Sequence, residues 1–194
     1  AFVGQVTESA IKEVEILYDG ITAEMNTKAL TSAALAGLIR PQVADVNMVS
    51  APIMVKEKGI IVSEVKRDKS GVFDGYIKLT VKTANNTRSV AGTVFSDGKP
   101  RFIQIKGINI DAEIGRHMVY TTNKDVPGII GVLGTTMGEN GVNIANFTLG
   151  RNDRAGEAIA ILYADEAVEE ATLQKLRDTG KFQQVKALTF DVEA

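Results

Sequence analysis

Six segments between residues 117 and 192 follow one another in an order that few folds accommodate. Residues 117–122 read as a strand and 127–139 as a helix. Two more strands follow at 142–149 and 157–164, the second apolar on both faces and therefore central. Residues 168–178 read as a helix stopped by Gly180, and 182–192 as a last strand. The order β-α-β-β-α-β within about 75 residues is the ferredoxin-like plan.

Upstream the pattern differs. Glu13-Val14-Glu15-Ile16-Leu17-Tyr18 reads as a strand ended by Asp19-Gly20. Leu30, Ala34, Gly37 and Leu38 then recur at helical spacing, with Asn26 or Thr27 placed to cap and Pro41 closing the far end. A further helical stretch covers 46–58, with Pro52 placed inside it as a breaker. After Gly59 come strands at 60–66, 76–82, 88–95 and 101–106, punctuated by Asp68-Lys69-Ser70-Gly71, Asn85-Asn86 and Asp97-Gly98. In 76–82, Ile77, Leu79 and Val81 alternate with Lys78, Thr80 and Lys82, the mark of an antiparallel sheet with one wet face. The chain is therefore expected to be α+β: an N-terminal α+β domain with an antiparallel sheet over 1–112, then the βαββαβ domain over 113–194.

Composition removes several classes of chemistry. The 194 residues hold no cysteine and one histidine, so thiol nucleophiles, disulfides, Fe–S clusters and any site needing two His ligands are excluded. A Ser-His-Asp triad would have to use His117, which is assigned no role; neither a catalytic nor a metal site is expected. The formal charge of −2, the lack of tryptophan and the absence of a basic run argue against nucleic acid as a partner. No apolar stretch approaches spanning length and no signal pattern opens the chain, so no membrane contact is expected and the cytoplasm is the expected compartment.

One segment concentrates unusual chemistry. Asn123-Lys124-Asp125-Val126-Pro127-Gly128-Ile129-Ile130-Gly131 is a strand end turning tightly into a helix, and Gly141-Val142-Asn143 is the exit into the next strand. Pro127 suits the first helical position, and Gly128 lets a ligand approach the helix start, where free N–H groups favour a carboxylate or phosphate. Asp125 and Asn143, read as lying at the same end of the sheet, add a carboxylate for an ammonium and an amide able to donate or accept; together they match a zwitterionic amino acid. The same residues serve equally as cap and turn chemistry. Gly131, Gly134 and Gly138 form one stripe of the helix, which suggests close approach of another backbone. Their spacing is not that of a dinucleotide-binding loop.

These runs, with Leu149-Gly150-Arg151 and Gly156-Glu157-Ala158, resemble an ACT domain, specifically the one closing the bacterial D-3-phosphoglycerate dehydrogenase family. Residues 26–41, 46–59 and 103–111 resemble that family's intervening domain, which binds substrate allosterically in some members. The resemblance implies a regulatory and oligomerising piece of the serine-synthesis enzyme, inactive as a dehydrogenase by itself. The NAD-binding and substrate-binding domains would precede Ala1, so no cofactor is expected here. It implies further that L-serine binds where two ACT domains of a dimer or tetramer pair, with effector residues falling on Asn123, Asp125 and Asn143 and backbone N–H groups near Gly128 assisting. Asn123 stands where relatives carry His or Tyr. Arg101 falls on a basic, phosphate-binding position of the upstream domain; the second such position is Glu113, a charge reversal, with Lys99, Lys106 and Arg116 as nearby cations, so Arg101, Lys106 and Arg116 form a candidate anion site. Exposed Lys and Arg are also the ordinary case.

Three other readings compete. A stand-alone amino-acid sensor would carry no enzyme, and a purely oligomerising module would keep a vestigial site, as Asn123 suggests. RNA binding shares the β-α-β-β-α-β order but needs exposed aromatics on the central strands of the second unit; Phe147 and Tyr163 exist, yet no basic-glycine-aromatic run accompanies them and the net charge is negative.

Overall fold

The structure, a computed structural model, describes residues 1–69, 71–152 and 156–192. Its chain forms two compact units, Ala1–Lys106 and Gly107–Ala194. The expected boundary at 112/113 lies six residues further on, and the strand Ile108–Glu113 between the two positions goes with the second unit. Among the described residues no helix is long and apolar enough to cross a membrane.

The first unit comprises α1 (Phe2–Val6), β1 (Ile11–Gly20), α2 (Ile21–Glu24), α3 (Thr27–Ile39), α4 (Ala51–Glu57), β2 (Ile61–Arg67), β3 (Gly75–Thr83), β4 (Thr87–Val94) and β5 (Pro100–Ile105). Its strands lie in the order β2-β1-β3-β4-β5. The sheet is antiparallel except at one edge, where β2 runs parallel to β1 with Glu13 opposite Ile61 and Asp19 opposite Arg67. A parallel pair needs a crossover of a dozen or more residues, and the segment bearing α2, α3 and α4 supplies it. Alternation sets the core: Val14, Ile16 and Tyr18 of β1 are buried opposite Val81, Leu79 and Ile77 of β3. Leu35, Leu38 and Ile39 of α3 and Val55 of α4 are buried with them. The buried Tyr18 hydroxyl meets Thr31 Oγ1 at 2.7 Å, and Thr31 donates to Glu64, so the α3–β1–β2 packing ends in a satisfied polar chain.

One proline acts differently from the sequence expectation. Pro52 does not break a helix over 46–58; it sits in the first turn of α4, where its missing N–H is no loss. The preceding residues are a turn in which Val49 and Ser50 donate their N–H groups to Asn47 Oδ1 at 2.9 and 3.0 Å. Asn26 does occupy the N-cap position of α3, but its side chain makes no capping bond. The turn expected at 68–71 includes Ser70, which lies outside the described residues.

The second unit comprises β6 (Ile108–Glu113), β7 (His117–Lys124), α5 (Ile129–Glu139), β8 (Ile144–Arg151), β9 (Glu157–Ala164), α6 (Glu170–Asp178) and β10 (Phe182–Thr189). β7, β8, β9 and β10 form an antiparallel-paired sheet in the order β10-β7-β9-β8, the strand order of the ferredoxin-like plan. β9 is central and buried along nearly its whole length, as its two apolar faces require. Val119, Ile129, Leu133, Met137, Leu162, Leu173, Leu176 and Val185 make the core under α5 and α6. β6 was not expected, although Ile108, Ile110 and Ala112 are buried and alternate with exposed Asn109 and Asp111. It lies against β8: a Cβ on Gly150 would stand 2.9 Å from both the Asn109 carbonyl oxygen and Ile108 Cγ2.

Candidate functional site

The end of β7 is built to open a cleft. The Asp125 N–H leaves the ladder and donates to the Gly156 carbonyl at 2.9 Å, which pins the residue beside the start of β9. Pro127 follows, and Gly128 then takes φ +90°, a left-handed conformation that glycine adopts without cost. Gly128 is thus the N-cap, and α5 begins at Ile129 rather than at Pro127. Its first helical bond runs from Val132 N–H to Gly128 O at 3.0 Å, and no side chain caps this end. The N–H groups of Ile129, Ile130 and Gly131 have no carbonyl within the helix to receive them.

A cleft of about 630 Å³ lies over this helix start, and Asn123, Asp125 and Gly128 all line it. Asn123 is buried, and its amide donates to Lys124 O at 2.6 Å. Val126, Ile130 and Leu149 form apolar walls although all three are large and exposed. Among the described residues, the charged ones lining the cleft are Asp125 and Arg151. They face each other, with Arg151 Nη1 3.0 Å from Asp125 Oδ2.

Arg151 was not singled out as a site residue from the sequence. The signal was available: in a βαβ unit the ends of the two parallel strands lie at one edge, and Asp125 and Arg151 follow or close those strands. In the register, Asn123 and Arg151 both pair with Ala158 of β9, one from each side.

Asn143 does not join them within one chain, contrary to the expectation that it shares an end of the sheet with Asp125. β7 and β8 both run antiparallel to β9 and so parallel to each other, and His117 and Ile144 both pair with Ala164. Asn143 therefore lies at the start of β8, roughly 30 Å along the strands from Asp125 at about 3.3 Å per residue. There it lines a different cleft and donates to the Asp165 carboxylate. Helix exits and helix starts fall at opposite ends of a βαβ unit, and the sequence reading had merged them.

The glycine stripe of α5 meets nothing among the described residues. A Cβ added at Gly131, Gly134 or Gly138 would find open space, so no other backbone among the described residues approaches closely. Gly134→Ala is accordingly expected to raise the stability of the second unit by about 1 kcal/mol, the intrinsic helix preference. Thermal unfolding followed by circular dichroism measures it; a fall in stability would show that the stripe needs its bare backbone.

Two of the candidate anion residues, Arg101 and Lys106, stand apart on the first unit. Arg101 is the second residue of β5 and Lys106 follows its end, so the strand holds them apart by about 16 Å. The Arg101 guanidinium lies 4.6 Å from the Phe95 ring centre, with Nη2 2.7 Å from Asp97 Oδ2. The Lys99 N–H, first, and Arg101 hold the Asp97 carboxyl below its ordinary value. Lys106 adopts φ +53° in the turn before Gly107. Arg116 belongs to the second unit.

The fold and cleft define a class: an α+β pair of units whose ferredoxin-like half offers a small, mostly apolar cleft with one acid and one base. Residues 1–106 match the D-3-phosphoglycerate dehydrogenase intervening domain, and the chain belongs to that family. It is similar along most of its length to D-3-phosphoglycerate dehydrogenases. The Bacillus subtilis enzyme is 32% identical over 97% of this chain and 36% of its own length. The Methanocaldococcus jannaschii enzyme is 28% identical over 95% of this chain and 35% of its own. That of Synechocystis is 31% identical, over 90% and 32%. The chain spans about a third of the length of the curated relatives it matches.

Proposed function

We propose that this chain is the C-terminal regulatory and oligomerising region of a D-3-phosphoglycerate dehydrogenase, and that its second unit is an ACT domain binding L-serine as feedback effector. The carrying observation is the convergence of Asn123, Asp125 and Gly128 on one cleft at the uncapped start of α5. Asp125 supplies a carboxylate for the ammonium, and the free N–H groups of the first turn suit a carboxylate. The dehydrogenase chemistry and its NAD belong, in this reading, to other parts of the larger enzyme.

The separation of Asn143 from the cleft supports a paired site. β8 is an edge strand of its sheet and leaves one side of its backbone open to pairing. Two copies related by a two-fold axis and joined along β8 would run antiparallel. The Asn143 end of one copy then meets the Arg151 end of the other, and Asn143 reaches the partner's cleft. An effector bound there acts by favouring one arrangement of subunits over another, for which a coupling of about 1–3 kcal/mol is ordinary.

Titration calorimetry of L-serine into this chain, with D-serine and glycine as controls, tests the reading. Saturable and stereoselective heat is expected, and Asp125→Ala is expected to abolish it. Protein shown to be dimeric that gives no heat with millimolar serine overturns the effector assignment and leaves an oligomerisation module.

A further inference from the structure

We infer that the Asp125–Arg151 pair reads the ligand's zwitterion: in the occupied cleft Asp125 takes the ammonium, Arg151 takes the carboxylate, and molecules carrying only one of these charges are refused. This rests on the amino-acid reading above and adds the residue that gives it selectivity.

The geometry is that of a lock with one fixed and one movable part. Asp125 is held by its backbone to Gly156, and its side chain is 27% exposed. Arg151 ends an edge strand, and its side chain is 58% exposed, free to swing toward solvent and back. The register sets the base of Arg151 two strands across from Asn123, about 10 Å at ordinary strand spacing. A small amino acid fits between side chains projecting from such positions.

Charge then supplies the selection. Among the described residues, the charged ones lining the cleft are Asp125 and Arg151, and they neutralise each other. An exposed ion pair of this kind is weak, so a ligand separates it easily. A lone carboxylate satisfies Arg151 and strands Asp125 beside a second negative charge; a lone amine does the reverse. Only a ligand bearing both charges re-pairs both side chains, which is discrimination by what is left unpaired.

The experiment is a matrix of binding titrations on the full 194-residue chain. The ligands are L-serine, ethanolamine (serine without its carboxylate) and L-glycerate (serine with a hydroxyl in place of its ammonium). The wild-type chain is expected to prefer L-serine over both by about ten- to a hundredfold, the worth of one charged hydrogen-bonded contact. Arg151→Gln is expected to lower serine affinity by a similar factor while strengthening ethanolamine, which no longer strands a cation, so that the serine/ethanolamine ratio falls to one or below. Arg151→Lys should restore part of it. Asp125→Asn should collapse the serine/glycerate ratio instead. Circular dichroism and sizing confirm that each variant folds and associates as the parent does. If serine binds the parent but Arg151→Gln keeps the parental serine/ethanolamine ratio, the inference fails and the effector site stands. If the parent binds no amino acid, the effector reading fails and the inference with it.

Discussion

Gly20→Ala is expected to destabilise the first unit by about 3 kcal/mol or more, enough to unfold a marginal domain. Two independent causes act at the same atom. Gly20 sits at φ +62°, ψ −135°, a region that L side chains rarely enter. A Cβ there would also stand 2.1 Å from the Asp74 carbonyl oxygen, a backbone atom with no room to yield. That carbonyl accepts the Ile21 N–H at 3.0 Å, so moving it breaks the bond that turns β1 into α2. The neighbouring Asp19 carboxylate is fully buried against Arg67 Nε at 2.7 Å and would move with the strand end. Urea unfolding followed by circular dichroism measures the loss, since the chain has no tryptophan for fluorescence. A loss below about 1 kcal/mol would mean that the turn rearranges freely, contrary to this packing.

Leu133→Ala is expected to cost about 2–5 kcal/mol in the second unit, the range for emptying a buried leucine site. Leu133 has no exposed surface and lies in the middle of α5, among Val119, Met137, Leu162 and Leu173. Its effect should reach the cleft as well, because α5 carries Gly128, Ile129 and Ile130 into place. Serine affinity should therefore fall in Leu133→Ala although the residue does not line the cleft, and cooling should recover part of it as the helix settles. Calorimetric unfolding that shifts by less than about 1 kcal/mol would show that the core collapses to refill the space.

Where local chemistry decides structure, the residues were readable. Alternation in residues 76–82 and the two apolar faces of 157–164 gave strands of the right kind and the latter its central place. Gly180, at φ +66°, marks the end of α6 as its chemistry requires. Long-range decisions were less accessible. The parallel pairing of β1 with β2 depends on a crossover that no local pattern encodes. β6 was hidden because its alternation falls where a boundary was expected. In the cleft, Asn123, Asp125 and Gly128 were legible because they are nearly adjacent in sequence. Arg151 was not, because its role arises from β9 inserting between β7 and β8 and bringing two strand ends to one level.

The position of β1 bears on how the chain is made. Its two sheet partners, β2 and β3, both come later in the sequence, beyond the crossover and the 68–74 stretch. About 60 residues must be added after Gly20 before Thr83 completes the second pairing, roughly 3–12 s of synthesis at about 5–20 residues per second. Throughout that interval Val14, Ile16 and Tyr18 stand on a nascent strand with no finished sheet to enter. The ribosome-bound chain is thus exposed to chaperones or to a neighbouring nascent copy for seconds, and codon choice between β2 and β3 becomes a lever on yield.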